Sequence, residues 1–148
     1  MSSSIAPTIQ QKIQIPYNYS AGPAMTKFLR GLQEKVIYAG VCSACGRRSV
    51  PPLSFCGRCW LPIDNYVPVE QKGTLQSFVK APGTPADHDN NASPLVYGLI
   101  RLQDCSTSLA HLVEAPGETS LKIGATVRPV WKDERSGSIL DIAHFVVE

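Results

Sequence analysis

The sequence predicts a mainly β protein in which a small module, held together by a bound metal ion, lies between an N-terminal helix and a five-stranded barrel. Three observations carry this prediction: apolar residues at helical spacing before residue 37, two Cys-x-x-Cys pairs within twenty residues, and five short β-type segments after residue 67. With 148 residues, of which 43% are hydrophobic and 18% charged, the composition is that of one globular domain or of two very small modules.

Changes in composition divide the chain into four stretches. Residues 1–16 are polar, Ser-rich and end at Pro16, which indicates an arm that is flexible or that a partner orders. Residues 17–38 hold the predicted helix, residues 39–63 the four-cysteine module, and residues 64–148 the barrel.

The helix is predicted from the run MTKFLRGLQEKV, Met25 to Val36. Apolar side chains recur there at helical spacing and charged ones fall mostly elsewhere: Phe28, Leu29, Leu32 and Val36 against Lys27, Arg30, Glu34 and Lys35.

The barrel is predicted from five segments that mix β-branched, aromatic and aliphatic residues and are separated by turn-rich stretches. They are GTLQSFVKAP (73–82), PLVYGLIRLQD (94–104), SLAHLVEA (108–115), ATVRPVWKDE (125–134) and ILDIAHFVVE (139–148). Five short strands in about 80 residues suit a barrel of the OB type, although an SH3-like barrel would give almost the same pattern.

Several locations and partners are disfavoured by the bulk sequence. No apolar run approaches the roughly 20 residues that a membrane span requires, and the N-terminus has no basic segment followed by an apolar one. We therefore expect a cytoplasmic protein, in which thiols stay reduced and paired Cys-x-x-Cys motifs favour metal over disulfides.

The net charge of +2 conceals an asymmetry between the two halves. Residues 1–63 carry seven Lys and Arg against one Glu (+6), and residues 64–148 carry seven against eleven Asp and Glu (−4). The basic half either attracts phosphates or offsets the formal −2 charge of a metal bound by four thiolates, and charge alone does not separate the two.

The cysteine module predicts a structural zinc site. Cys42, Cys45, Cys56 and Cys59 form two pairs ten residues apart, and each pair can supply two sulfurs to a tetrahedron. Four cysteines leave no open position for catalysis, and a redox centre needs one pair at the start of a helix. Iron could occupy the same four thiolates.

Glycines are expected to shape the two turns of this site. Gly46 follows the second cysteine and Gly57 follows the third. We expect both to provide the permissive backbone that lets N–H groups point at thiolates. Between the pairs, Pro51 and Pro52 exclude a helix and predict an extended crossing.

The order of helix, zinc ribbon and small barrel resembles a particular family, the zinc-ribbon/OB-fold proteins associated with acyl-CoA enzymes. The residues that carry the likeness are YNYSAGPAMTKFLRGLQEKVIYAGVCSACGRRSVPPLSFCGRCW (17–60), Gly73-Thr74, PLVYGLI (94–100) and IGATV (123–127). The resemblance covers about residues 17–148, and its ribbon is of the rubredoxin-like type.

The resemblance implies a non-catalytic accessory subunit. Members of the family accompany thiolase-fold enzymes such as thiolases, aldolases and acyltransferases, and the enzyme supplies the nucleophilic cysteine. The small subunit stabilises the assembly and helps form the site for the CoA thioester, while its zinc is structural. No match in the family places the arm 1–16 or the loop 81–94.

Five residues around the helix are candidate contacts for the partner or for acyl-CoA: Tyr17, Tyr19, Lys27, Phe28 and Arg30. The cations could meet CoA phosphates or an acidic patch on the partner, although a solvated basic face is the simpler interpretation. The tyrosines could anchor an interface or fasten the arm to its own barrel.

No residue is predicted to be catalytic. Cys105 has no evident base beside it and is expected to be an isolated thiol, and His111 and His144 are expected to be strand histidines that are hydrogen-bonded or half-exposed. The run Asp87 to Asn91 offers metal ligands but is expected to be a solvated loop or a docking loop.

Two other functions remain open on the sequence alone. OB barrels and zinc ribbons both serve in nucleic-acid binding, although the barrel half is acidic and lacks interleaved aromatic and basic residues. The barrel could also bind acyl-CoA by itself and pass it to an enzyme.

Overall fold

The computed structural model describes residues 12–81, 95–117 and 120–148 of the chain. It contains one α-helix, one short 3₁₀ helix and eight strands. In chain order they are α1 (Gly22–Gln33), β1 (Tyr38–Val41), β2 (Arg48–Ser49), β3 (Asn65–Pro68), β4 (Gly73–Ala81), β5 (Leu95–Leu102), β6 (Leu109–Glu114), β7 (Thr126–Trp131), the 3₁₀ helix (Ile139–Asp141) and β8 (Ile142–Val147). Within these ranges no helix is long and apolar enough to cross a membrane.

The C-terminal strands close into a five-stranded barrel of the OB type, in the order β4-β5-β6-β8-β7. β4 returns to β7 through the pairs Gly73↔Val127 and Thr74↔Thr126, and β6 runs parallel to β8. Each of the five predicted segments contains one of these strands. The mainly β fold with a helix, a ribbon and a small barrel is therefore confirmed, and the OB topology replaces the SH3-like alternative.

The ribbon contributes a three-stranded antiparallel sheet in the order β2-β1-β3. β1 pairs with β3 over four residues, from Tyr38↔Pro68 to Val41↔Asn65, and with β2 over two. The domain boundaries expected from the sequence remain a prediction.

The helix begins and ends three residues before the predicted bounds. Pro23 lies in its first turn, where the missing N–H of proline costs nothing. At the other end Lys35 turns to a φ of +60°, and the Val36 N–H donates to the Gly31 carbonyl at 2.7 Å. Gly31 is required by packing, because a Cβ there would lie 2.5 Å from the Tyr38 ring.

One apolar core joins the helix, the base of the ribbon and the barrel. Phe28 and Leu32 of α1 belong to the same buried cluster as Ile37 and Val50 of the ribbon and Phe145 of the barrel. These side chains are almost fully excluded from water. The twelve-residue helix is therefore stabilised mainly by its packing on the core, since a helix this short is marginal by itself.

The turn between β5 and β6 links the barrel to the ribbon through hydrogen bonds. The Thr107 hydroxyl accepts from the Val50 N–H at 2.7 Å and donates to the Val50 carbonyl at 2.8 Å, while the Ser106 N–H donates to the Arg48 carbonyl. The sequence placed a turn here but gave no sign of this link, since the partners are 57 residues apart.

Asp141 organises the loop between β7 and β8. It is buried, and its carboxylate accepts three backbone N–H groups, from Ser136 at 3.0 Å, Gly137 at 2.8 Å and Ser138 at 3.1 Å. Burial alone would raise the pKa of Asp141, but these three donors, helped by the Arg135 charge, outweigh it and leave the pKa lowered.

We predict that Asp141→Asn destabilises the protein by about 2 kcal/mol near neutral pH, because charge-assisted hydrogen bonds to three backbone donors are lost. The folded pKa of Asp141 lies below its unfolded value, so the carboxylate stabilises the fold above about pH 4. This contribution disappears as pH falls through the folded pKa. Urea unfolding from pH 3 to pH 7 should therefore show the two proteins converging at low pH, and a constant difference would contradict this role.

Candidate functional site

Two hairpin turns of the ribbon bring the four predicted cysteines together. The Sγ atoms of Cys42, Cys45, Cys56 and Cys59 all lie within 4.8 Å of one another, and those of Cys45 and Cys56 are 3.7 Å apart. Zinc–sulfur bonds of about 2.3 Å place the sulfurs of a tetrahedral site about 3.8 Å apart. The four thiols therefore fit a zinc ion.

The backbone of the second turn is arranged to hold a thiolate. The N–H groups of Arg58 and Cys59 point at the Cys56 sulfur, at 3.4 and 3.5 Å. The donation from Cys59, followed by that from Arg58, lowers the pKa of Cys56 to about 6.

The four thiols cannot all ionise without a cation between them. The hydrogen bond that Cys59 shares with Cys45 raises the pKa of Cys59 to about 12. A divalent ion at the centre would remove this conflict, because each thiolate would then face positive charge. With all four positions filled by sulfur, such a metal holds the ribbon together and leaves no position for a substrate.

The two turns have the same geometry but different residues at the key position. The Gly46 N–H donates to the Cys42 carbonyl and the Trp60 N–H donates to the Cys56 carbonyl, both at 2.9 Å. Gly46 has a φ of +69° and Trp60 a φ of +60°. The permissive backbone predicted at Gly46 is confirmed.

The prediction of a permissive backbone at Gly57 is wrong, because the left-handed position of the second turn falls after its second cysteine, although the N–H groups of this turn do point at a thiolate. Trp60 occupies it, with a strained backbone and a side chain 80% exposed. Sequence comparison of the two turns would have found this, since Gly46 and Trp60 each follow the second cysteine of a pair.

One face of α1 borders an apolar cavity of about 390 Å³ at the junction of helix, ribbon and barrel. Its walls come from the end of the arm, α1, the ribbon, β6 and the loop before β8: Tyr19, Met25, Phe28, Leu29, Pro51, Leu109, Gly137, Ser138 and Ile139. Of the candidate contacts, Tyr19 lies at the exposed side, and Phe28 is only 1% exposed and forms part of the floor. The sequence did not indicate this cavity, because its walls come from five separate parts of the chain.

The adjacent face of α1 carries the candidate cations. Lys27 and Arg30 border a second cavity of about 360 Å³, together with Tyr38 and one acidic residue, Glu34. The Lys27 Nζ lies 4.0 Å from the centroid of the Tyr38 ring, a cation–π contact that directs the amine along the helix surface. Both cations are exposed, so an anionic ligand can reach them.

Tyr17, the remaining candidate contact, is 76% exposed and lies beside Tyr19, with 6.2 Å between ring centroids. Among the described residues neither tyrosine is fastened to the barrel by a hydrogen bond.

The other reactive side chains occupy structural positions. Cys105 is a buried free thiol, and burial raises its pKa. Burial lowers the pKa of His111, whose Nε2 lies 3.2 Å from the Ile139 carbonyl, which agrees with a hydrogen-bonded strand histidine. His144 is half-buried, with its Nε2 3.3 Å from Glu114 Oε2. The run Asp87 to Asn91 lies outside the described residues.

Both parts of the chain match models of one family. The rubredoxin-like zinc ribbon domain of ChsH2 matches residues 30–61, and the C-terminal OB-fold domain of ChsH2 matches residues 66–132. The chain therefore belongs to this zinc-ribbon/OB-fold family, as the resemblance of the sequence indicated. No curated protein matches the chain.

Two solved structures share this fold. A protein of unknown function from the DUF35 family of Sulfolobus solfataricus is 28% identical, with a TM-score of 0.67 over 85% of this chain and 84% of that one. A chain of an Ltp2–ChsH2(DUF35) aldolase is 19% identical, with a TM-score of 0.62 over 90% of this chain and 98% of that one.

We predict that the purified protein contains one zinc ion per chain and that Cys56→Ser releases it and lowers the unfolding temperature. Cys105→Ala is the matched control, because it removes a buried thiol outside the cluster and should leave the metal content at one. Elemental analysis by mass spectrometry measures both and distinguishes zinc from iron. Full metal content in Cys56→Ser would contradict the assignment.

We also predict that Trp60→Gly is about 1 kcal/mol more stable than Trp60→Ala, since both remove the indole and only glycine adopts a φ of +60° without strain. Chemical unfolding of the two variants at equal zinc loading gives the difference. Equal stability would show that the left-handed turn is not strained.

Proposed function

We propose that this protein is a non-catalytic accessory subunit of an acyl-CoA enzyme complex whose partner has a thiolase fold. The observation that carries the proposal is the pairing of ChsH2-type ribbon and barrel domains in a chain that also shares its fold with part of the Ltp2–ChsH2(DUF35) aldolase. In this role the subunit stabilises the assembly and helps form the acyl-CoA site in the cytoplasm, a location that suits five free thiols.

The chemistry of the described residues supports a division of labour with an enzyme. A nucleophilic thiol needs a lowered pKa and a nearby base, whereas burial raises the pKa of Cys105. The His111 ring is buried against Phe145, and its Nε2 lies 3.2 Å from the Ile139 carbonyl oxygen. Both observations support a division of labour in which the partner supplies the bond-making cysteine.

The two cavities beside α1 suit the two ends of a CoA thioester. The apolar cavity floored by Phe28 can take the acyl or pantetheine portion, and Lys27 and Arg30 on the adjacent helix face can meet the phosphates. Tyr17 and Tyr19 then lie at the open side, where the partner would complete the site.

The rival role in nucleic-acid binding finds less support. Val79, Tyr97 and Leu99 are exposed on the outer surface of β4 and β5 beside a single cation of β5, Arg101, whereas a nucleic-acid groove needs several cations along the backbone path.

Purification of the native complex from the host, with antibody against the untagged chain, tests the proposal. We expect a thiolase-fold protein in stoichiometric amount, and its substrate would identify the pathway. Recovery of the chain alone, or with nucleic acid, would overturn the function and leave the zinc site unaffected.

We predict that reversing the charge of both helix cations, with Lys27→Glu and Arg30→Glu, weakens binding of CoA to the purified complex by about tenfold. The double change Lys72→Glu with Lys122→Glu, at two exposed lysines outside α1, is the charge-matched control and should bind as the unaltered protein does. Calorimetry with CoA gives the affinities. Equal affinity in all three proteins would show that the CoA phosphates do not bind at Lys27 and Arg30.

A further inference from the structure

In the described part of the arm, large apolar and polar residues alternate as they do in a β-strand, although these residues are not paired with any strand that the structure describes. Ile13, Ile15, Tyr17 and Tyr19 are spaced two apart, and their side chains are 73%, 74%, 76% and 72% exposed. The two tyrosine rings lie side by side, which places successive odd residues on one side of an extended chain. No residue from 12 to 20 makes a hydrogen bond to another described residue.

No edge of the described sheets matches the full length of residues 13–19. The contact between β4 and β7 ends at Leu75, so β7 does not cover Gln76–Ala81 of β4 on that side of the barrel, and the ribbon sheet is bordered by β2, of two residues, and β3, of four. A second copy of the chain has the same sheets. Pairing of two arms would give only an isolated two-stranded ribbon, which is marginal in water.

Proline at position 16 makes the two edges of the arm different. In an extended chain the N–H and C=O of odd residues point to one edge and those of even residues to the other. Pro16 lacks an N–H and therefore interrupts the even edge alone. The odd edge keeps four donors, at Ile13, Ile15, Tyr17 and Tyr19.

We propose that residues 13–19 add as an edge strand to an open β-sheet of the partner enzyme, pairing through the odd edge. The four large odd side chains pack on one face of that sheet, and Pro16 on the outer edge stops further strands from adding. This inference rests on the proposed function, and it specifies the partner as a protein with an exposed sheet edge bordered by an apolar surface.

Residue-resolved hydrogen exchange on the full chain, alone and in the native complex, tests the pairing. In the free chain we expect all arm amides to exchange at the rate of unstructured peptide. In the complex the amides of Ile13, Ile15 and Tyr17 should slow by at least tenfold, while those of Gln14 and Asn18 stay fast. Uniform protection, or none, would overturn the edge-strand geometry.

Paired variants separate the backbone contribution from the side chain. Ile15→Ala and Ile15→Pro both remove the isoleucine, and only proline removes an odd-edge N–H, so we expect the proline variant to bind the partner about tenfold more weakly than the alanine variant. Gln14→Ala and Gln14→Pro are the matched pair on the even edge and should bind equally.

The outcomes distinguish this inference from the proposed function. Partner binding that is equal in Ile15→Ala and Ile15→Pro would overturn the edge strand, although the accessory role would stand. Failure of the unaltered chain to bind any enzyme would overturn both, since no partner sheet would then exist.

Discussion

The mutual attraction of four thiolates for one metal ion is the interaction on which the rest of this structure depends. The ribbon's own buried cluster has only three members, Cys42, Cys56 and Ile63, and two of them are ligands, because Val50 packs into the core shared with the helix and barrel. A cluster this small cannot offset the conformational entropy that is lost when roughly twenty residues become ordered. Metal binding must supply the remaining free energy.

The metal site is connected through the chain and the shared core to the apolar cavity beside α1. β1 passes directly from Ala39 in the shared core to Cys42, and Val50 returns to that core before Pro51 borders the apolar cavity. The helix packs on the same core through Phe28. A change at the metal site would therefore reach the cavity through a few covalently and sterically connected residues.

Elements specified by local chemistry could be predicted from the sequence. The cysteine pairs, the five barrel strands and the left-handed turn at Gly46 each follow from spacing or from one residue's conformational preference. What the sequence did not reveal depends on contacts between distant residues: the Thr107 link to Val50, the three donors to Asp141, and a cavity with walls from five parts of the chain. The left-handed conformation of Trp60 was not predicted, because bulky residues rarely adopt a positive φ, whereas glycine does so readily.

We propose that this protein assists an enzyme rather than acting as one, and reconstitution of the complex is the direct test. The proposed thiolase-fold partner, the chain and their mixture would each be assayed for turnover of an acyl-CoA substrate, with light scattering to follow assembly. We expect no turnover by the chain, reduced activity or stability of the partner alone, and recovery in the mixture. A partner that assembles and turns over equally well without the chain would contradict it.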